Sequence, residues 1–303
     1  MTATLETKPT MQTDDATKWP SIAIVTPSFQ AERYIRQCMV SVLDQNYPNL
    51  QYVVMDGGSS DSTVDIVNSF AHRLHYWTSG PDGGPYQAIA AGFAKTDAEI
   101  LGWLNADDIL LPWTLVVIGS LFRDCPNVEW VTTETPMQIS TDGLPYNLWH
   151  LPGFTKRGFR SRENCGAGNG GPRSMGSTIQ QESTFWRRNL WEKAGGRFEP
   201  QIKMAGDFEL WDRFFDHALL YSINIPLGAF RWHGGQRSAL HSEQYKKECN
   251  AVLSRHGNNP VDEEAYVSRH ARMMGFHVGD NHNIERVPVV RRNAAGRFQS
   301  GLY

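Results

Sequence analysis

The stretch LGWLNADDILLP, residues 101–112, sets two adjacent acids, Asp107 and Asp108, directly behind an apolar run. Carboxylates crowded at the end of a buried strand repel one another and resist desolvation, and a cation among them would relieve both costs. Two further turns share this character: MDGGSSDS, with Asp56 and Gly57, and GPDGGP, with Asp82 and Gly83. Capping or turn-shaping by Asp would explain any one of the three alone. Three acidic strand ends in one chain point instead to a shared rim for a hard divalent cation, manganese or magnesium, whose shell keeps waters and substrate phosphates. The neighbouring glycines would let the backbone approach a ligand closely. Neither G-x-G-x-x-G nor G-x-x-x-x-G-K-[ST] follows these strands, which argues against a nicotinamide-dependent oxidoreductase.

These positions converge only if the right elements carry them. SIAIVTPSF, LQYVVMD, LHYWT, EILGWL and VEWVTTE read as five buried strands. Between them, AERYIRQCMVSVLDQ places Ile35, Met39, Val42 and Leu43 on one helical face. Ser62, with Asp65 three positions on, suits a capping box. Pro85 opens a helix with Tyr86, Ile89, Ala90 and Phe93 on one side, and Pro112 opens another with Leu115, Ile118 and Phe122 inward. This alternation predicts an α/β fold, a mostly parallel Rossmann-like sheet with helices on both faces. Ligands of such sheets bind at the carboxyl ends of the strands. There stand Thr26-Pro27-Ser28, Asp56-Gly57, Asp82-Gly83 and Asn105-Ala106-Asp107-Asp108.

The rhythm breaks near residue 140. GFRSRENCGAGNGGPRSMGST, 158–178, is too long and polar for an ordinary connection, so it is expected to be functional or disordered. QESTFWRRNLWEKAGG reads as a helix with a glycine stop, AGDFELWDRFFDHA as another helix, and LLYSINIPLGAFRWHGG as a strand-like return. A polar helix follows from about 241, then a basic irregular tail beyond 280. Residues 1–19 read as a mobile tail.

At 303 residues and a formal charge of -3, the chain lacks the basic excess of a nucleic-acid binder. Four scattered cysteines suit a reducing compartment, and no apolar run reaches the roughly 18 residues of a membrane span, so a soluble cytoplasmic protein is expected. Ten tryptophans are many; each is first a core residue and second a platform for a sugar ring.

TPSFQAERYIRQCMVSVLDQNYPNLQYVVMDGGSSDST and PDGGPYQAIAAGFAKTDAEILGWLNADDILLP resemble the nucleotide-binding half of glycosyltransferase family 2. The similarity continues through QQESTFWRRNLWEKAGG and MAGDFELWDRF to FRWHGGQRS, so it covers roughly residues 20–240. It implies a GT-A fold, with a nucleotide-sugar half over 20–135, an acceptor-side half over 136–240, and a helix and basic tail over 241–303. By resemblance Thr26, Pro27, Ser28 and Glu32 surround the base and ribose, and Asp56 accepts a hydrogen bond from the base, which favours a UDP-sugar. NADD takes the place of the family's DxD motif, with Asn105 where many members have the first Asp, Asp107 as metal-binding acid and Asp108 beside it.

The resemblance also implies an inverting transfer to an acceptor hydroxyl, with Asp207 as general base. Gly206 stands where the family often has Glu, and Glu209 would point away from Asp207 along the helix. His233 matches a position that supplies a metal ligand in some members. Gln236 and Arg237 are placed to meet the diphosphate; Gln181, Glu182 and Trp211 are placed on the acceptor side. The acceptor expected is a saccharide or lipid-linked group in polysaccharide, lipopolysaccharide or glycolipid synthesis. The tail, with Arg286, Arg291, Arg292 and Arg297, would suit peripheral contact with the inner membrane face. The alternative is a nucleotide-sugar binder that has lost catalysis.

Overall fold

The computed structural model describes residues 19–151, 153–160 and 179–256, with the backbone of four short strands between 277 and 301. The expected N-terminal tail, the 161–178 part of the long polar segment and the side chains of the arginine-rich tail lie outside the described residues.

Strand β1 (Ile22–Ser28) is buried at all seven positions, as a continuous apolar run covered on both faces should be. It lies between β2 (Leu50–Asp56) and β4 (Ile100–Trp103), parallel to both, and β3 (Tyr76–Ser79) follows outside β2. The register sets Ser28 beside Asp56 and Asp56 beside Ser79, so these strand ends form one row. On the other side of β4, β9 (Phe185–Arg187) runs antiparallel between β4 and β6 (Trp130–Thr133), and β10 (Leu220–Ile223) is parallel to β6.

The segment QESTFWRRNLWEKAGG therefore departs from the single helix expected of it. It forms a 3-10 turn at Gln181–Ser183, strand β9, and only then helix α6 (Arg188–Lys193). Aromatic Phe185 and Trp186 pack well on a pleated surface, and β6 and β4 offer ladder partners on both sides. The glycine stop holds: Gly195 and Gly196 have φ of +99° and +63°.

Helices α1 (Ile35–Leu43), α2 (Thr63–Ser69) and α4 (Thr114–Asp124) cover one face of the sheet, where Met39, Val42, Leu115 and Ile118 are buried. Helices α3 (Pro85–Phe93), α6, α7 (Gly206–Phe214) and α9 (Ser242–Leu253) cover the other. The capping box at Ser62 does not form; Asp61 accepts from the Thr63 amide at 3.0 Å and Glu32 from the Ser62 amide at 2.9 Å.

A second sheet, in the order β5 (Ile109–Leu110), β11 (Gly228–Arg231), β7 (Met137–Ile139), β8 (Pro145–Leu148), lies beyond the acidic end of β4. The C-terminal tail carries short strands where an irregular chain was expected. β12 (His277–Val278) and β13 (Asn283–Glu285) extend the large sheet past β10, and β14 (Val289–Arg292) pairs with β15 (Phe298–Gly301). Among the described residues no helix is long and apolar enough to cross a membrane.

Candidate active site

The carboxyl ends of β1 and β4 open into a cavity of about 1170 Å³. That exceeds the few hundred to about 1,000 Å³ of an ordinary small-molecule pocket. Pro27, Ser28, Gly57 and Asp82 line one end; Asn105, Ala106 and Asp107 line the middle. Gln181, Glu182, Asp207, His233 and Arg237 complete it. Pro27 and Arg237, 210 positions apart in sequence, thus meet in one cavity.

At the first end, the structure separates two acids that the sequence reading joined. Asp56 is 1 % exposed and does not line the cavity. Its Oδ1 accepts from the Ser28 and Ser59 hydroxyls, and its Oδ2 from the Gly58 and Ser59 amides and the Ser79 hydroxyl. Burial alone would raise its pKa, but these donors outweigh it and hold the group below the usual carboxylate value. Asp56 therefore ties three strand-end segments together. Asp82 does face the cavity: its Oδ1 accepts from the Gly84 amide at 2.8 Å, and its Oδ2 lies over Gly57 beside the ring of Phe29. Of the other residues expected here, Thr26 is buried against the Tyr52 hydroxyl at 3.0 Å, Glu32 is taken up by the Ser62 amide, and Gly83 shapes its turn at φ +80°.

The paired acids behind β4 also part. Asp107 Oδ2 lies 3.0 Å from His233 Nε2, and both side chains are partly open to the cavity. Asp108 turns inward, 1 % exposed, where Oδ1 accepts the Arg231 amide at 2.9 Å and Oδ2 the Asn105 side chain at 3.2 Å. Burial, then the Asp107 and Glu182 carboxylates, push its pKa well up. Asp108 does not line the cavity, so the structure does not place it beside Asp107 as the sequence reading expected of a metal ligand. Asn105 also donates to Gln181 Oε1 at 3.0 Å, a bridge that an acid at this position could not make.

Arg231, missed by the sequence reading, is 0 % exposed. It donates to the Asp107, Ser140 and Thr141 carbonyls and to Gln37 Oε1. Its one signal was a cation inside an apolar strand. Gln236 accepts the His233 amide at 3.2 Å and donates to the Arg231 carbonyl, so it fixes the histidine loop; Arg237 lines the cavity and donates to the Lys203 carbonyl.

Across the cavity, Asp207 enters at the first turn of α7. Its Oδ1 is buried without a hydrogen-bond partner among the described residues, and burial pushes its pKa up to about 6. Glu182 is likewise buried with Oε1 unpartnered, and burial, then Asp207 and Asp107, push it to about 8. Glu209 is no competitor. It is fully buried and paired with Arg213 and Arg255 at 2.8 and 3.1 Å. Glu248 on α9 accepts the amides of Lys203, Met204 and Ala205, holding the approach to α7. Trp211 is not an acceptor platform. It is 1 % exposed, stacked against Trp103 at 5.7 Å and Trp130 at 5.6 Å, and does not line the cavity.

Residues 23–175 match the model of glycosyl transferase family 2. An uncharacterized glycosyltransferase of Rickettsia prowazekii, RP339, is 29 % identical over 255 residues, 78 % of this chain and 72 % of its own. A second, from Haemophilus influenzae, is 30 % identical over 94 residues, where the match spans only 38 % of the relative's length. Among solved structures, S. aureus TarS 1-349 in complex with UDP-GlcNAc is similar with a TM-score of 0.60 and 17 % identity, over 81 % of this chain and 68 % of that one. The mannosyltransferase PcManGT from Pyrobaculum calidifontis, in complex with GDP-Man and Mn2+, has a TM-score of 0.53 at 17 % identity, over 80 % and 65 %. Those likenesses are of fold. With half the chain matched by the family model and strand ends converging as described, the chain belongs to glycosyltransferase family 2 and adopts the GT-A fold.

Proposed function

We propose that the chain transfers a sugar from a nucleotide-diphosphate donor to an acceptor hydroxyl with inversion. Asp207 is the general base, and Asp107 with His233 are the protein ligands of a divalent cation. The carrying observation is that two differently prepared acidic groups face one cavity: Asp107 open and paired with an imidazole, Asp207 buried with a free oxygen.

The residues present fit manganese or magnesium. One carboxylate oxygen and one imidazole nitrogen converge at 3.0 Å, and among the described residues no group of three or more ligands encloses an ion. That leaves most of the coordination shell to water and phosphate oxygens, as these cations prefer. Held by Asp107 and His233, such a cation would supply charge stabilisation to a departing diphosphate.

With a pKa of about 6, Asp207 is ionised at neutral pH and accepts the acceptor's proton as its oxygen attacks. Glu182, at about 8, keeps its proton and donates a hydrogen bond to a bound hydroxyl. Asp82 replaces Asp56 as the carboxylate facing the base. Its Oδ1 accepts from the Gly84 amide and its Oδ2 is placed to accept a ring N–H, which pyrimidines such as uracil offer. This supports a UDP-sugar donor, and the TarS and PcManGT complexes show nucleotide-sugar donors in proteins of this fold.

The test is a thermal-shift panel of UDP, GDP and dTDP with and without manganese, followed by nucleotide release from the matching donors over an acceptor panel. A metal-dependent shift for one base, with Asp207→Asn keeping the shift and losing release, is expected. A wild-type protein that binds a donor yet never releases nucleotide would leave the binding-only reading standing.

A further inference from the structure

The small sheet turns one face toward the mouth of the cavity. Phe230 on β11 pairs with Gln138 on β7, and Gln138 with Asn147 on β8, so their side chains share a side. Tyr146 joins them through the irregularity in the β7–β8 register. Its hydroxyl and the Asn147 amide both donate to Gln138 Oε1 at 3.2 Å. Trp232 lies two residues beyond Phe230 with its ring 6.5 Å away. Phe230, Gln138 and Trp149 line the cavity, whereas Tyr146 and Trp232 continue outside it, 54 % and 44 % exposed. The Trp149 indole N–H is buried without a partner among the described residues.

This strip mixes ring faces with amide and hydroxyl groups and leaves the cavity without a break. Exposed aromatics grouped beside a cavity mark a binding surface rather than packing. The chemistry that matches is a saccharide: its C–H faces stack on rings while its hydroxyls pair with amides and indole N–H groups. A bilayer is a poorer match, because anionic headgroups attract lysine and arginine. None of the strip residues is basic: Arg231 on β11, between Phe230 and Trp232 in sequence, turns to the other face, where it is buried and bonded to three carbonyls, and the β7–β8 turn carries the acid Asp142.

The geometry points to a subsite for an extended saccharide acceptor. Its terminal sugar sits in the cavity near Asp207, and further sugars run outward over Phe230, Trp232 and Tyr146. This rests on the transferase reading and adds the acceptor's class and direction.

The test uses the full chain on a saccharide microarray, with Trp232→Ala/Tyr146→Ala and Trp232→Phe beside wild type. Wild type should retain some saccharides, with signal rising with chain length. The double variant should lose about 10- to 100-fold in affinity, as expected for two lost aromatic stacks, and Trp232→Phe should keep most of the wild-type affinity. The manganese-dependent nucleotide shift should match in all three proteins; its absence from all would count against the transferase reading, separately from this one. A blank array alongside an intact nucleotide shift overturns the subsite, as does equal retention by the double variant. Trp232-dependent co-sedimentation with phosphatidylglycerol vesicles and a blank array would assign the strip to a membrane instead.

Discussion

His233 Nε2 stands 3.0 Å from Asp107 Oδ2 although 126 residues separate them in the chain. The contact brings together the two side chains proposed to hold a divalent cation. His233→Ala should weaken manganese-dependent nucleotide binding about 10- to 100-fold and leave metal-free binding nearly unchanged. Titration calorimetry with and without manganese reads both. Equal losses in the two conditions would make the histidine a wall rather than a ligand.

Asp207→Asn should lower transfer about 10²- to 10⁴-fold, the usual worth of a general base. It should also alter stability with pH. The folded pKa, about 6, is raised above the ordinary carboxylate value, so the native state binds this proton more tightly than the unfolded chain. The group favours folding at low pH and loses that contribution as pH rises toward 6, remaining unfavourable above it. Removing the charge should therefore stabilise the protein by about 1–2 kcal/mol at pH 7.5, allowing for the amide left in its place, and by nothing near pH 4. Urea melts at both values check this, and wild-type kcat/KM should fall below about pH 6.

Gly206 meets the Tyr86 ring so closely that an added Cβ would sit 2.6 Å from it. A side chain such as the glutamate that the resemblance leads one to expect here would not fit against this ring. Gly206→Ala should push the ring aside, disturb the 2.7 Å hydrogen bond from Tyr86 to the Met204 carbonyl and cost about 1–3 kcal/mol. Since Asp207 is the next residue, kcat should fall with Tm; a variant with lower Tm and unchanged kcat would contradict the tight coupling.

Asp56 and Asp82 should give opposite signatures. Asp56→Asn replaces one acceptor oxygen by an NH2 that faces buried donors and should cost about 2–4 kcal/mol with little change in base preference. Its folded pKa is depressed, so the stability it contributes is present above the unfolded value and disappears as pH falls through the folded one. Asp82→Asn should barely move Tm while changing which nucleoside diphosphate gives the largest thermal shift. The reverse pattern would return base reading to Asp56.

The first half of the fold was legible because its strands are continuous apolar runs and its helices show a clean inward face, as at Ile35, Met39 and Val42. That Asp107 and Asp207 share a cavity followed from motif order. The fate of side chains one position apart did not. Asp107 and Asp108 differ by a backbone turn that hands one to His233 and the other to the Arg231 amide, partners over 120 residues away. Asp56 looked free because its serine donors sit on three separate segments. Trp211 shows the same ambiguity from the other side: an aromatic on an amphipathic helix serves cavity or core according to neighbours such as Trp103 and Trp130, which no local pattern reveals.

That indole stack has a practical consequence for anyone re-engineering the protein. The helix bearing Asp207 is held in a cluster of buried indoles, through Trp211 against Trp103, Trp130 and Trp186. New acceptor preferences cannot be won by sliding that helix. If the proposed subsite holds, they come instead from substitutions at Tyr146 and Trp232, which stand in solvent and cost the fold little.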